Sequence, residues 1–407
     1  MQTQILSHSR GLDLRNNVVE QDLSLSVYRE FAEVKQIWRD FQVLGCHYPF
    51  QSFDWLDNWY QTLGRAANLT PCIVVITTPA QGTVMILPLA VNKTRFIRRL
   101  TWMGGDLSSY HVPLIHPEFA QQLDKKTFQK LWQSVHQVLP LVDAVLFESQ
   151  PEMIDQISNP FTALWRFEHP SSSYEMELPP QMAIDDFLRS KKNKKSRSKL
   201  QNRKKNLAKL GQLSFEVLSS SAASIDALKE MIAQKEASLA EMGAKDPFER
   251  PGYKEFIETM TNQCVSTDKL VNLSVLRLDD RIIATHWGLH YKKYFYSIFP
   301  TYDDDPALNK YSIGTVLLVY LFEWCLENGV ETFDFGVGDQ AYKMRWKDKD
   351  ISLFCSAQAC TFRGGLYLLP VVSSKMIKRF IKQNERLYSL FMRSRKFLGS
   401  RKFLGIS

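Results

Sequence analysis

Two stretches of this chain place reactive side chains close together. The first is Asp334-Phe-Gly-Val-Gly-Asp-Gln-Ala-Tyr-Lys343. Carboxylates beside a phenol and an amine are the groups that move protons at a reacting centre. Residues 331–336 alternate, with Phe333 and Phe335 on one face and Asp334 and Gly336 on the other. Gly336 and Gly338 then turn the chain, so Asp334, Asp339, Tyr342 and Lys343 are expected to converge beyond the C-terminal end of a strand. The second stretch is Tyr311-Ser-Ile-Gly-Thr315, which opens a long apolar run. With Ser312 as the N-cap, the N–H groups of Ile313, Gly314 and Thr315 lack helical acceptors. The helix dipole adds positive potential there. Gly314 lets an anion approach the backbone, as at a pyrophosphate site, although a glycine here is also compatible with ordinary capping.

Other chemistries are poorly represented. There is no Gly-x-Ser-x-Gly elbow, Walker loop, Gly-x-Gly-x-x-Gly or His-Glu-x-x-His. His111 and His116 flank a proline and read as surface or core residues in preference to metal ligands. His286 shares a strand face with Gly288 and His290. The six cysteines form no Cys-x-x-Cys and read as reduced thiols. No metal is expected.

The elements that must position these residues fall into two similar halves. In the first, a helix over residues 52–60 precedes strands at 72–78, 83–91, 99–103, 142–148 and 173–178, closed by Pro179-Pro180. A helical pattern over 183–210 follows, ended by Gly211. The second half shows a strand at 213–218 and helices at 225–242 and 253–264. Three closely spaced strands come next, at 271–278, 282–290 and 294–299, expected as antiparallel neighbours. A polar loop (302–310), a helix (313–327), a strand (331–336), a short helix (340–346) and a strand (351–357) complete it. The expected organisation is residues 1–182, a basic connecting helix 183–211, residues 212–370 and a basic amphipathic tail 371–407.

The 407 residues are 44% hydrophobic, which supports real cores and excludes global disorder. No apolar run reaches membrane-spanning length, and residues 1–22 show no signal-peptide core. Charge is unevenly placed. Residues 191–210 hold ten Lys/Arg and no acid, and residues 375–407 hold ten Lys/Arg and one acid, Glu385. Removing these +10 and +9 from the total of +8 leaves the remainder at −11. An acidic body with two basic segments points to local contact with an anion, a membrane or nucleic acid. In the tail, Met376, Ile377, Phe380, Ile381, Leu387, Tyr388 and Phe391 form an apolar stripe, and Ser394–Gly399 is repeated as Ser400–Gly405. Such a helix packs on its own domain or lies on a membrane.

The order hairpin, strand, Tyr-Ser-Ile-Gly-Thr loop, helix, Asp-Phe-Gly-x-Gly-Asp-x-x-Tyr-Lys-x-x-Trp resembles the CelD/BcsL-like branch of the GNAT acyltransferases, related to the FemABX aminoacyltransferases. Phe50-Gln-Ser-Phe-Asp-Trp55, Ile86-Leu-Pro-Leu89, Leu100-Thr-Trp-Met-Gly-Gly105 and the basic residues 197–211 extend the likeness over about residues 25–360. At the superfamily's Arg/Gln-x-x-Gly-x-Gly/Ala motif the chain has Asn309, Ser312 and Gly314, so one glycine is kept. The resemblance implies an α/β (α+β) fold of two tandem GNAT-like domains, each a mixed, mostly antiparallel sheet flanked by helices, the first a non-catalytic scaffold. It implies acetyl-CoA or another acyl-CoA held at Tyr311, Ser312, Ile313, Gly314 and Thr315, with the thioester along residues 294–299. An amine on a small molecule or glycan, an amino sugar or nucleotide sugar of polysaccharide assembly, would attack directly. Asp334, Asp339 or His286 would act as base or orient the amine, unless Asp334 simply caps its turn. Tyr342 would protonate the thiolate, and Lys343, Gly336 and Gly338 would contact substrate. The alternatives are an aminoacyl-tRNA-dependent FemABX-type transferase, the only reading that involves nucleic acid, and a degenerate GNAT-fold binding protein. The expected location is the cytoplasm or the inner face of the membrane.

Overall fold

The computed structural model describes residues 23–219, 221–266, 270–384 and 387. The reading of residues 1–22, the tail residues Tyr388 and Phe391 and the 394–405 repeat lie outside them, as does the side chain of Cys264. The chain forms two units, residues 1–171 with 352–383 and residues 172–351 with 384–407.

In the first unit, β-branched runs with buried residues on both faces build a sheet in the order Ser24–Tyr28, Leu69–Thr78, Gly82–Lys93, Arg98–Trp102, Ala144–Pro151, Leu353–Ala359, Arg166–Glu168. Neighbours are antiparallel except Arg98–Trp102 and Ala144–Pro151, which pair in parallel through Arg99 and Leu100. Between those two parallel strands the chain makes the helix Lys125–Val138. Its apolar stripe, Phe128, Leu131, Trp132 and Val135, is buried.

The second sheet runs Leu213–Val217, Val271–Leu278, Arg281–Tyr291, Tyr294–Tyr302, Thr332–Val337, Ser173–Glu177, Lys349–Ile351. It too has one parallel pair, Tyr294–Tyr302 with Thr332–Val337, and the chain between them makes the helix Ile313–Glu327. One face of this sheet meets that helix, where His290 packs edge-on to Trp324. The other face meets the helices Ser221–Glu241 and Tyr253–Ser266, where Trp287 Nε1 donates to Thr261 Oγ1 at 2.8 Å. The core under Ile313–Glu327 is aromatic, with Phe295, Phe322, Phe333, Phe335 and Trp346 buried in one cluster.

The two sheets share one plan, and the sixth strand of each comes from the opposite end of the sequence. Ser173–Glu177 sits between Thr332–Val337 and Lys349–Ile351 in the second sheet. Leu353–Ala359 sits between Ala144–Pro151 and Arg166–Glu168 in the first. The observed division therefore falls at residues 171/172 and 351/352, where the sequence boundaries stood at 182 and 370. Alternation identifies a strand, but it carries no information about which sheet supplies the unpaired edge.

Two expected elements also change. The helix read over 183–210 is two helices, Ile184–Lys191 and Lys194–Leu207. Lys192 is extended, and Asn193 caps the second helix through Ser196 N–H at 2.9 Å. The tail helix begins earlier than residue 371, at Phe362, and runs to Gln383 in the first unit.

Candidate active site

The parallel pair in the second unit holds over three positions only, Tyr294 with Thr332, Phe295 with Phe333 and Tyr296 with Asp334. From Ser297 onward the two strands separate. An extra residue, Ile298, bulges between Trp287–Phe299 and Gly288–Ser297 in the neighbouring ladder and bends the strand away. The result is a split in the sheet beneath the start of Ile313–Glu327.

A cleft of about 760 Å³ opens there. It is lined by Ser312, Ile313, Gly314 and Thr315, by His286 and Ser297 on the sheet, and by Tyr342, Arg345 and Trp346. The basic helix Lys194–Leu207 supplies Lys199 and Arg203 to its rim. Ser312 sits in the left-handed region (φ +53°), an unusual conformation for serine, and its side chain makes no cap. Thr315 N–H turns back to the Ser312 carbonyl at 2.8 Å. Among the described residues nothing accepts the N–H groups of Ile313 and Gly314. Two of the three expected amides are thus open to an anion, and the third is used internally. Gly314 has a further reason to be glycine, because a Cβ there would stand 3.1 Å from the Tyr302 ring. Tyr311 lies outside this cleft, in a neighbouring groove of about 930 Å³ with Lys195, Lys199, Arg203, Lys209 and Lys310.

In the first unit the corresponding helix is closed to anions. Asp124 caps Lys125–Val138, its carboxylate accepting from Thr127 N–H at 2.7 Å. A negative charge already occupies the dipole's positive end.

His286 is fully buried on the floor of the cleft. Its Nε2 meets Ser297 Oγ at 2.8 Å, and its Nδ1 has no hydrogen-bond partner among the described residues. Burial lowers its pKa to about 3, so the ring is neutral near pH 7 and a weak base. Tyr342 is half-buried with its ring against Phe335, and burial pushes its hydroxyl up to about 12. It is a phenol that keeps its proton.

The opposite face of the split carries the carboxylates. Asp334 is buried and accepts from Gly336 N–H at 2.6 Å and from Ser173 Oγ at 3.4 Å. The turn-capping alternative for Asp334 is what the geometry shows. Asp339 accepts from Tyr174 Oη at 2.9 Å and Ser172 N–H at 3.4 Å, fastening the incoming strand. Lys343 is buried and donates to the carbonyls of Gly336 (3.0 Å) and Val337 (3.1 Å). It holds the turn instead of facing the cleft. Burial lowers its pKa to about 8, against the pull of Asp334 and Asp339. Gly336 (φ +69°) and Gly338 (φ +120°) are glycine because this turn needs left-handed backbone.

The sequence reading missed Glu175. It lies on Ser173–Glu177, directly opposite Asp334. Burial, with the Asp334 charge adding to it, pushes its carboxyl up to about 7. The available signal was a carboxylate at an alternate position of a half-buried strand. Lys235, on Ser221–Glu241, has its pKa lowered by burial and acts electrostatically on Lys343. Three acids, Glu175, Asp334 and Asp339, and two amines, Lys235 and Lys343, therefore cluster on this face.

Among the described residues no group of acids, histidines and cysteines could hold a metal ion. His111 is buried against the Glu148 carbonyl at 3.1 Å, and His116 precedes the helix Pro117–Gln122. Cys72, Cys325, Cys355 and Cys360 form no disulfide among the described residues.

A family model described as an acetyltransferase (GNAT) domain matches residues 194–344, from the basic helix through the cleft to the Asp334 turn. No curated protein sequence matches the chain. Several solved structures share its fold. FemX is 10% identical with a TM-score of 0.54, covering 82% of this chain and 97% of its own. A conserved protein of unknown function from Bacteroides thetaiotaomicron is 10% identical (TM-score 0.51, 82% and 99%). L-PGS from Bacillus licheniformis is 13% identical (TM-score 0.50, 84% and 96%). The second unit carries the GNAT acyltransferase fold, within a two-domain mixed α/β chain.

Proposed function

We infer that the protein is an N-acyltransferase of the CelD/BcsL type that takes an acyl group from coenzyme A. The observation that carries this is the cleft that joins the open N–H groups of Ile313 and Gly314 to the split in the sheet. The pyrophosphate of acyl-CoA would rest on those amides, and Lys199 and Arg203 would take further phosphate charge. The thioester would enter the split, where the strand Tyr294–Tyr302 has lost its parallel partner. The Asp124 cap supports a scaffold role for the first unit, whose matching helix has no open anion site.

The acceptor amine would come from the other face, where Glu175 and Asp334 attract an ammonium. Glu175, with a carboxyl near neutrality, is the base. The amine nitrogen attacks the thioester carbonyl, the C–N bond forms and the C–S bond breaks. Of the two protons the ammonium gives up, one leaves through Glu175 and one ends on the departing sulfur, with Tyr342 as its immediate donor. His286 stays neutral and lines the donor cleft, so it is a contact and not the base. Tyr294 and Tyr296 stack at 5.9 Å between ring centroids, and their register puts them on the Asp334 face. Flat rings beside carboxylates suit an amino sugar or nucleotide sugar.

One observation favours a second reading. The basic groove lined by Lys195, Lys209 and Lys310 runs on from the shared rim residues Lys199 and Arg203, a surface that suits the phosphates of an aminoacyl-tRNA. Calorimetry with acetyl-CoA on wild type and Gly314→Asp separates the two. Micromolar binding that disappears in a folded Gly314→Asp supports the coenzyme A reading. A well-folded wild type that binds no acetyl-CoA, acyl or free, transfers the weight to RNA.

A further inference from the structure

The helix Phe362–Gln383 presents two unlike faces. Its inner face is fastened to the first unit at every turn. Gly364 packs so tightly that a Cβ would collide with the Asp143 carbonyl, and Leu368 is buried. Tyr367 Oη accepts from Arg99 at 2.8 Å. Lys375 pairs with Glu148, Arg379 with Glu168 and the His169 carbonyl, and Lys382 donates to Ser171 Oγ. The basic residues nearest the body are therefore spent inward, and the helix cannot roll.

The outer face is apolar. Phe362, Leu366, Leu369, Met376 and Phe380 recur at helical spacing, and Ile377 lies beside them. All are exposed, Phe362 at 83%, Leu369 at 70% and Phe380 at 63%. The stripe is about 27 Å long at 1.5 Å per residue. The helix contains no acidic residue, Arg363 and Lys378 stand exposed, and the sequence beyond it, residues 384–407, adds six Lys/Arg against one acid. A stripe this long and this apolar is not ordinary protein surface. Water-facing phenylalanines flanked by cations, with anions absent, match a surface that is apolar inside and negative at its rim. No helix among the described residues is long and apolar enough to cross a membrane.

We propose that the outer face of Phe362–Gln383 seats this protein on an anionic phospholipid bilayer. The helix lies in the interface with its apolar stripe among the acyl chains and its cations among the headgroup phosphates. The first unit is thereby held at the surface by the polar bonds on the helix's inner face. This inference stands independently of the donor that the cleft takes.

The test is sedimentation of the full chain with phosphatidylcholine vesicles, plain or containing about one third phosphatidylglycerol. Wild type should pellet with the anionic vesicles and be released in part as salt rises from about 0.1 M to 1 M. The triple variant Leu366→Ser, Leu369→Ser, Phe380→Ser should bind at least tenfold more weakly. Its circular dichroism and melting should match wild type, because none of the three is buried. A Phe380→Trp variant should show a blue-shifted emission on adding anionic vesicles. The proposal is overturned if wild type ignores both vesicles, if plain and anionic vesicles bind equally, or if the triple variant binds as well as wild type. It is also overturned if ultracentrifugation shows a vesicle-indifferent dimer that the triple variant converts to monomer, since the stripe would then pair with a second copy.

Discussion

Glu175 stands directly across the antiparallel ladder from Asp334, on a strand that reaches this sheet from the N-terminal half of the sequence. Two carboxyl groups held this close do not both ionise easily, and burial adds to the effect on Glu175. Asp334 is already committed to Gly336 N–H, which favours its charged form. Glu175 is left as the member of the pair that takes up and releases a proton near neutrality.

Glu175→Gln should therefore lower kcat by about 10²–10⁴-fold with little change in donor affinity. In wild type, kcat/KM should rise with pH and level off above about 7, as Glu175 loses its proton. The variant should lose that rising limb. Stability should move the other way. The folded carboxyl binds its proton more tightly than the unfolded one, so the folded state loses stability as pH rises from about 4.5 through 7. Glu175→Gln should be more stable than wild type at pH 8. Denaturant midpoints at pH 5 and pH 8 check this, and equal pH slopes for both proteins would sink the assignment.

How far the sequence carried these conclusions depends on the range of the interaction involved. The apolar run at 313–327 identified the helix, because burial there is local, and its open first-turn amides at Ile313 and Gly314 though not at Thr315, whose N–H turns back to the Ser312 carbonyl. The alternation Phe333–Asp334–Phe335 likewise gave the correct two faces. Glu175 was invisible because its chemistry comes from a partner more than 150 positions away in a sheet that its neighbours in sequence do not share. Lys343 was misplaced for a similar reason. Its type suggests a substrate contact, but only packing reveals that its ammonium is consumed by the carbonyls of Gly336 and Val337. The break before Lys194 was readable in principle, since Asn193 is a good N-cap, but the unbroken basic composition hid it.

His286 should make the second unit sensitive to acid. Its folded pKa is depressed to about 3 from an ordinary value of 6.5. Below about 6.5 the unfolded chain takes up a proton that the folded one refuses, so stability is lost as pH falls toward 3. A single such proton contributes a slope of about 1.4 kcal/mol per pH unit. His286→Gln should show a shallower decline than wild type between about pH 6 and 4, by about that amount. Guanidinium titrations across the range read the difference, and parallel curves would refute it.

Gly364 should tolerate no side chain. A Cβ at this position would lie far inside contact distance of the Asp143 carbonyl, which is backbone and cannot swing away. Gly364→Ala should destabilise the first unit by about 3 kcal/mol or more, above the usual range for overpacking. Gly365→Ala is the control, since its Cβ would meet only the Ala359 methyl at 3.9 Å. Limited proteolysis should release the C-terminal helix in Gly364→Ala and leave it protected in Gly365→Ala.

Arg203 and Lys199 line both the cleft and the neighbouring groove. They project from a helix of net charge +7 with no acid on it, Lys194–Leu207. No salt bridge among the described residues neutralises either side chain, so their charge is available to a ligand that carries several phosphates. Truncating both, Lys199→Ala with Arg203→Ala, should raise the KM for the donor about 10–100-fold and leave kcat nearly unchanged, because these contacts persist from ground state to transition state. The salt dependence of donor binding should flatten in the same variant, since fewer fixed cations remain to be screened. Steady-state kinetics at about 0.05 M and 0.5 M salt read both effects together. A variant with wild-type KM and an unchanged salt response would place the donor's phosphates elsewhere and leave the two open amides of Ile313 and Gly314 as their only anchor.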